Sequence, residues 1–175
     1  MSTQREELTV VDVDHAPTAV SSTAAIIAAV VAAITSAPFA LLALPLGIGG
    51  AGIVAAGLRL GGKREWVTLG AGALFLSILV AGGFGTPVEF LLVSTISTLL
   101  AWDFGQNAIS LGEQIGRHSR TKRNEVIHAS ASLVVALLSS AFGYLVYTNA
   151  GSGRPVASLT MLVLGVVLLI WAIRT

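Results

Sequence analysis

Apolar residues dominate this chain in long runs that are separated by short polar segments. Several runs approach about 20 residues, the length that a helix needs to cross ~30 Å of hydrocarbon. A barrel of the outer-membrane type would instead show ~10-residue segments of alternating polar and apolar residues. The chain has no such alternation. The pattern therefore predicts an all-α integral membrane protein.

Six transmembrane helices account for the apolar runs. The run from Ala19 to Leu58 is about twice the length of one span at ~1.5 Å per residue. We therefore divide this run into two spans at the turn 35–38. The predicted spans are 19–36, 38–58, 66–83, 87–104, 126–147 and 156–173. A polar, acidic tail over 1–17 precedes this single six-helix domain, which covers 18–175.

Prolines stand at the start of every second predicted span. Pro38, Pro87 and Pro155 each follow a short turn, and proline is favoured at the first position of a helix. This spacing predicts three helical hairpins. Pro45 lies within the second predicted span, where a proline is expected to kink the helix or open its backbone.

Glu89 is an acidic residue at the start of the fourth predicted span, and two interpretations apply to it. In the first, Thr86 is the N-cap, Pro87 the first helical residue and Glu89 the third, which completes a capping box. In the second, Glu89 is an acid used in transport. The capping interpretation is favoured because a carboxylate there also complements the helix dipole.

Small residues recur at four-residue spacing in the first two predicted spans. Such spacing lets helix backbones approach closely in lipid. We therefore expect close helix packing along two stripes, Ala25, Ala29 and Ala33 in the first span, and Gly47, Ala51 and Ala55 in the second.

The basic residues are distributed unevenly about the six predicted spans. All lysines and arginines except Arg154 fall on one side. Because cytoplasmic loops are enriched in Lys and Arg, both termini are expected in the cytoplasm of a multi-pass plasma-membrane protein. Basic side chains near a membrane surface attract anionic headgroups by about 1 kcal/mol each. The candidate headgroup contacts are Arg59, Lys63, Arg64, Arg120, Lys122 and Arg123.

A long polar segment over 105–125 separates the fourth and fifth predicted spans. As a helix that continues from Asp103 and Phe104, this segment would have three faces. A polar face contains Asp103, Asn107, Ser110, Gln114 and Arg117, with Gln106 and Glu113 beside it; an apolar face contains Phe104, Ala108, Leu111 and Ile115; and a mostly small strip contains Gly105, Ile109, Gly112 and Gly116. We therefore expect the fourth helix to extend into the cytoplasm as an amphipathic helix.

Asp103 and His128 are the strongest candidates for chemistry. Counting the helical rise places both near the inner membrane boundary, where they could meet each other or an arginine of the basic segment. Ionisable groups in a membrane indicate function, and histidine titrates near neutral pH. A structural hydrogen bond or ion pair is favoured over a proton relay, because water is close at the boundary. The candidate relay or partner-contact residues are Asp103, Asn107, Glu113, Arg117 and His128.

The composition of the chain and its lack of certain motifs exclude several classes of function. The chain is 54% hydrophobic and 11% charged, whereas soluble domains carry about 25% charged residues. The absence of cysteine excludes disulfides and thiolate chemistry. The histidines lack metal-ligand spacing, and the glycine-rich stretch 47–53 lies inside a predicted helix instead of a phosphate loop. We expect no catalytic residue, cofactor, metal or nucleic-acid partner.

The stretch Trp102-Asp-x-Gly-x-Asn-Ala-Ile-Ser-Leu-Gly-Glu-Gln-Ile-Gly-Arg, followed by Thr121-x-Arg-x-Glu-x-x-His, carries a family resemblance. It resembles a family of small, uncharacterised multispanning membrane proteins of halophilic archaea. Genes of that family tend to lie near those of AAA ATPases and companion membrane proteins. The resemblance implies an accessory role in a membrane complex and no established activity.

The function expected from the sequence is that of a non-catalytic structural or accessory subunit. Its expected partners are membrane lipids and other membrane-protein subunits or further copies of the chain. The alternative is a small transporter or proton-coupled channel that uses Asp103 and His128, with Glu89 as a further candidate acid.

Overall fold

A computed structural model describes residues 16–37, 40–115 and 122–149. The regular secondary structure in these ranges is entirely helical: α1 Ala19–Ser36, α2 Ala43–Arg59, α3 Arg64–Gly83, α4 Val88–Ile115 and α5 Lys122–Asn149. Four of these helices (α1, α3, α4 and α5) contain stretches long and apolar enough to cross a membrane, and α2 is apolar but shorter. These helices suggest a membrane protein.

Five of the six predicted spans overlap a helix that the structure describes. Helix α1 has the predicted limits, and α3 begins two residues earlier than expected, at Arg64. The sixth predicted span, 156–173, lies outside the described residues, as does the tail apart from Ala16 and Pro17. The described part of the chain therefore leaves the six-span count as a prediction.

The second helix begins later than predicted, and this changes the role of Pro45. Helix α2 starts at Ala43 instead of 38, after turns in which the Ala43 amide donates to the Ala40 carbonyl over 2.8 Å. Pro45 is therefore in the first turn of α2. Proline is tolerated there because the first amides of a helix have no carbonyl partner within it. The expected kink at an interior proline was wrong for this reason.

The turn between α3 and α4 also differs from the predicted capping box. The Pro87 carbonyl accepts the amide of Leu91 at 3.3 Å, which makes Pro87 the N-cap of α4. Thr86 is one residue outside the helix, and its hydroxyl donates to the Ala81 carbonyl over 2.7 Å. Thr86 thus closes the end of α3, and Glu89 lies in the first turn of α4.

Helix α4 continues well past its predicted apolar span. It contains 28 residues, or about 42 Å at ~1.5 Å per residue, which exceeds the ~30 Å hydrocarbon thickness. Helix α4 therefore continues beyond residue 104, and its extension into the cytoplasm stays a prediction. The predicted polar segment 105–125 is nevertheless not one unit. Residues 105–115 belong to α4, 116–121 lie outside the described residues, and 122–125 open α5.

The chain divides into two compact units, residues 1–136 and 137–175. In the first unit, the most extensive packing is between α1 and α4 and between α2 and α3. The contacts of α1 with α2 and of α3 with α4 are less extensive. In the second unit, the described residues 137–149 form the end of α5, where the rings of Tyr144 and Tyr147 stack with centroids 6.5 Å apart.

The core of the first unit confirms one predicted stripe and corrects the other. Ala25 and Ala29 of α1 are fully buried, and Ala33 nearly so. In α2 the buried positions are Gly47, Gly50, Val54 and Gly57, whereas Ala51 and Ala55 are half-buried. The predicted stripe of α2 shared Gly47 but ran at the wrong angle, because α2 packs more extensively on α3 than on α1.

Candidate functional site

A buried carboxylate joins the start of α5 to the start of α1. Glu125 is 2% exposed, and its Oε2 atom accepts hydrogen bonds from Thr18 Oγ1 at 2.8 Å, Ser21 Oγ at 2.8 Å and Ser21 N at 2.9 Å. Thr18 is the N-cap residue of α1, yet its own side chain makes no capping bond. Glu125 instead accepts the hydrogen bond of the Ser21 amide, as an N-cap side chain would, and places a negative charge at the positive end of the α1 dipole.

Helix α4 holds the same end of α1 from another direction. The Thr18 amide donates to the Ala108 carbonyl over 3.1 Å, and Asn107 Nδ2 donates to Ser21 Oγ over 3.4 Å. We call Thr18, Ser21, Asn107 and Glu125 the capping cluster. It connects three helices through side chains that come from distant parts of the sequence.

Asp103 and His128, which the sequence singled out, do meet. Asp103 Oδ2 lies 3.1 Å from His128 Nε2 and accepts a 2.7 Å bond from Ser132 Oγ. His128 and Ser132 are four residues apart and so share one face of α5. The side chains of Asp103 and His128 are 37% and 42% exposed, so the pair is only partly buried.

The arrangement of these three residues is unlike that of a catalytic triad. In a triad the imidazole lies between the serine and the carboxylate, so that it can accept the serine proton. Here Ser132 and His128 both bond to the Asp103 carboxylate. The carboxylate orients both groups, and the serine is not activated by the histidine.

A second row of polar side chains on α4 faces α3. The Nη2 atom of Arg64 forms a 2.7 Å ion pair with Glu113 and donates to Ser110 Oγ at 3.0 Å. Gln106 Nε2 donates to Thr68 Oγ1 at 3.2 Å. The Arg64 and Glu113 side chains are 45% and 54% exposed. An ion pair at such exposure contributes about 1 kcal/mol or less.

The polar face predicted for α4 contacts different helices along its two edges. Asp103 and Asn107 contact α5 and α1, whereas Ser110 contacts Arg64 at the start of α3. This follows because α4 packs against both α1 and α3. In the predicted small strip, Gly105, Ile109 and Gly112 are buried.

The structure places only part of the predicted basic set. Arg117 and Arg120 lie outside the described residues, as does the side chain of Lys122. Arg123 is exposed at the start of α5, and Lys63 Nζ lies 5.6 Å from the centroid of the Trp66 ring. Arg64, which was also predicted to contact a headgroup, forms an ion pair with the Glu113 carboxylate.

Three residues of the capping cluster, Thr18, Ser21 and Glu125, were not singled out by the sequence. The sequence did contain a local signal for Thr18, because threonine directly before an apolar run is a favoured N-cap residue. The contribution of Glu125 had no such local signal, since its partners are more than 100 residues away in sequence. Within the described residues, no group of three or more histidine or acidic side chains is placed to hold a metal ion.

Comparison with known proteins gives one match. The model of a protein family that is described as a family of unknown function (DUF7519) matches residues 15–170. No curated protein and no solved structure matches the chain.

Proposed function

The chain belongs to the DUF7519 family of unknown function, and we propose that it is a non-catalytic structural or accessory subunit of a membrane protein complex. The proposal includes six spans, a plasma-membrane location and cytoplasmic termini, which the distribution of basic residues supports. It also includes the archaeal, halophilic origin that the resemblance of the 102–128 region implies.

The observation that carries this proposal is the pairing of buried polar groups with one another. The Glu125 carboxylate accepts three hydrogen bonds from α1, and the Ser94 hydroxyl donates to the buried Ala32 carbonyl over 2.9 Å. Buried polar groups that are satisfied in this way rigidify a packed structure. A solute pathway instead places polar groups along a water-filled cavity. The described contacts therefore favour a rigid helical scaffold.

A scaffold needs a surface for its partner, and the start of α5 offers one. Ile127 is 57% exposed and Val134 54%, and these residues lie seven positions apart, on one face of the helix. In a membrane, apolar side chains of this kind contact either lipid or a neighbouring subunit. We propose that this face contacts the neighbouring subunit.

The test is purification of the tagged full-length chain from its native membrane in a gentle detergent. We expect a membrane protein to co-purify in stoichiometric amount, measured by quantitative mass spectrometry. Replacing Ile127 and Val134 together by serine should reduce the yield of that partner. The matched control is Leu41→Ser, which changes an 87% exposed apolar residue in the turn before α2. A clean monomer in native lipid would overturn the proposal.

A second candidate function is a small transporter or proton-coupled channel. The contact of His128 with Asp103 at 3.1 Å favours it, because two titratable groups in contact can exchange a proton. In proteoliposomes containing a pH-sensitive dye, Asp103→Asn should abolish proton flux while assembly persists. The control is Glu65→Gln, which changes an exposed acid in the first turn of α3 and should leave flux intact. Full flux in the Asp103→Asn variant, or no flux in the wild type, would eliminate this candidate.

A further inference from the structure

A cavity of about 260 Å³ lies between the start of α1 and the end of α2. Its walls include Pro17, Ser22, Ile26, Leu58 and Arg59. By the same kind of measure, a single water needs roughly 10–15 Å³. The cavity therefore has space for a chemical group much larger than one water molecule.

One end of this cavity favours an anion. Arg59 lies in the last turn of α2 and is exposed, and a guanidinium group forms paired, charge-assisted hydrogen bonds with phosphate. Within the described ranges, Arg59 takes part in no ion pair, and the cavity lining contains no carboxylate. The nearby Glu125 carboxylate is engaged by Thr18 and Ser21.

A serine of α1 adds a hydrogen-bonding group to the lining. The Ser22 hydroxyl oxygen is inaccessible to solvent and makes no hydrogen bond within the part of the chain that the structure describes. A buried polar group without a partner is unfavourable, because it has lost its hydrogen bonds to water. Ser22 lines the cavity, and rotation of its side chain into the cavity would give the hydroxyl a ligand oxygen as a partner.

The other end of the cavity is apolar and lies within the candidate span. Leu58 is 4% exposed, and Ile26 is seven residues, or about 10 Å, along α1 from Ala19. Ala19 is where the apolar span of α1 begins. The cavity thus changes from cationic to apolar in the direction that leads into the membrane. A phospholipid has this order from its phosphate to its acyl chains, whereas a soluble phosphate compound lacks the apolar part.

We propose that this cavity binds the phosphate group of an anionic phospholipid. Arg59 contacts the phosphate, Ser22 donates to a headgroup or glycerol oxygen, and Ile26 and Leu58 contact the first acyl carbons. The site is separate from the subunit role proposed above, since it is formed by α1 and α2 and not by the partner-facing side of α5.

The experiment is native mass spectrometry of the purified full-length chain, titrated with phosphatidylglycerol. Phosphatidylcholine tests the need for net charge, and glycerol phosphate and inorganic phosphate test a soluble source. We expect one saturable site for phosphatidylglycerol. Arg59→Gln should weaken binding about tenfold or more through loss of the paired hydrogen bonds. Lys63→Gln is the matched control, since Lys63 is a basic residue four positions further along the chain that does not line the cavity. It should weaken binding at most about fivefold by loss of surface attraction.

A volume-filling variant tests the cavity while keeping every charge. Ala19 lines the cavity and is exposed, so Ala19→Leu should occupy the space, retain the helix and reduce phosphatidylglycerol binding about tenfold. If Arg59→Gln fails to fold, the binding measured for Ala19→Leu tests the cavity by itself. Equal weakening by Arg59→Gln and Lys63→Gln, or unchanged binding in Ala19→Leu, would overturn the proposal. Equal binding of inorganic phosphate would overturn the assignment to a lipid.

Discussion

Helices α2 and α3 touch through backbone atoms, whereas the start of α1 is held by hydrogen bonds to a side chain. At α2 and α3 the helices contribute bare backbone, since a Cβ atom on Gly70 would lie 2.7 Å from the Gly50 carbonyl oxygen. At the start of α1 the contribution is a buried carboxylate, Glu125, with three donors around it.

These two contacts depend on different physical terms. The glycine contact rests on van der Waals packing, which tolerates no added atom but has little directional preference. The capping cluster rests on directed hydrogen bonds to a charged group, and such bonds are expensive to break where water is excluded. The first contact should therefore be sensitive to added volume, and the second to a lost acceptor.

The largest effect is expected from removing the acceptor. Glu125→Ala leaves the donors of Thr18 and Ser21 buried without their partner and should lower the free energy of unfolding by about 3 kcal/mol. The measurement is denaturant unfolding of the full-length chain in mixed micelles, followed by circular dichroism. Glu113→Ala removes a carboxylate that is 54% exposed and should cost about 1 kcal/mol or less. Equal losses in the two variants would show that burial of Glu125 does not matter.

A smaller loss is expected from adding one methyl group at the glycine contact. In Gly70→Ala the new Cβ would also lie 2.7 Å from the Val54 amide nitrogen, so α2 and α3 must separate. Overpacking of this kind should cost about 2 kcal/mol in the same unfolding assay. Gly72→Ala is the control on the same helix, because a Cβ there meets no atom within 4 Å. A loss in Gly72→Ala as large as that in Gly70→Ala would contradict the proposed backbone contact.

The sequence predicted those features of the fold that depend on one helix at a time. The limits of α1, its buried alanine stripe and the continuation of α4 beyond its apolar span follow from residue type and periodicity along a single segment. The sequence also placed Asp103 and His128 at a similar depth by counting the helical rise. Their contact at 3.1 Å agrees with that placement.

Features that depend on how helices are rotated against each other were not predictable in this way. The stripe in α2 was assigned to Ala51 and Ala55, but Gly50 and Gly57 face the neighbouring helix. A periodic pattern of small residues fits several rotations of a helix equally well, and the packing partner selects one of them. For the same reason, no local pattern joins Glu125 to Thr18, which is 107 residues away.

The smallest effect is expected for the contact between Ser36 and Ser77, which joins close packing of small residues with a directed hydrogen bond. Ser36 of α1 and Ser77 of α3 are buried small residues whose hydroxyl oxygens lie 2.7 Å apart. Ser36 also donates to the Ala33 carbonyl of its own helix over 3.1 Å. Since a hydroxyl has one proton, Ser77 then donates to Ser36. Ser36 therefore keeps a partner when Ser77 is changed.

A double-mutant cycle of Ser36→Ala and Ser77→Ala should give a coupling energy of about 0.6 kcal/mol, the average for hydrogen bonds between membrane helices. The control cycle combines Ser77→Ala with Thr35→Ala, because the Thr35 hydroxyl donates to the Val31 carbonyl within its own helix. That cycle should give no coupling. A serine coupling above about 2 kcal/mol would mean that a neutral hydrogen bond between helices is as strong here as the charged one at Glu125. The contrast between the two contacts would then not depend on the charge of the carboxylate.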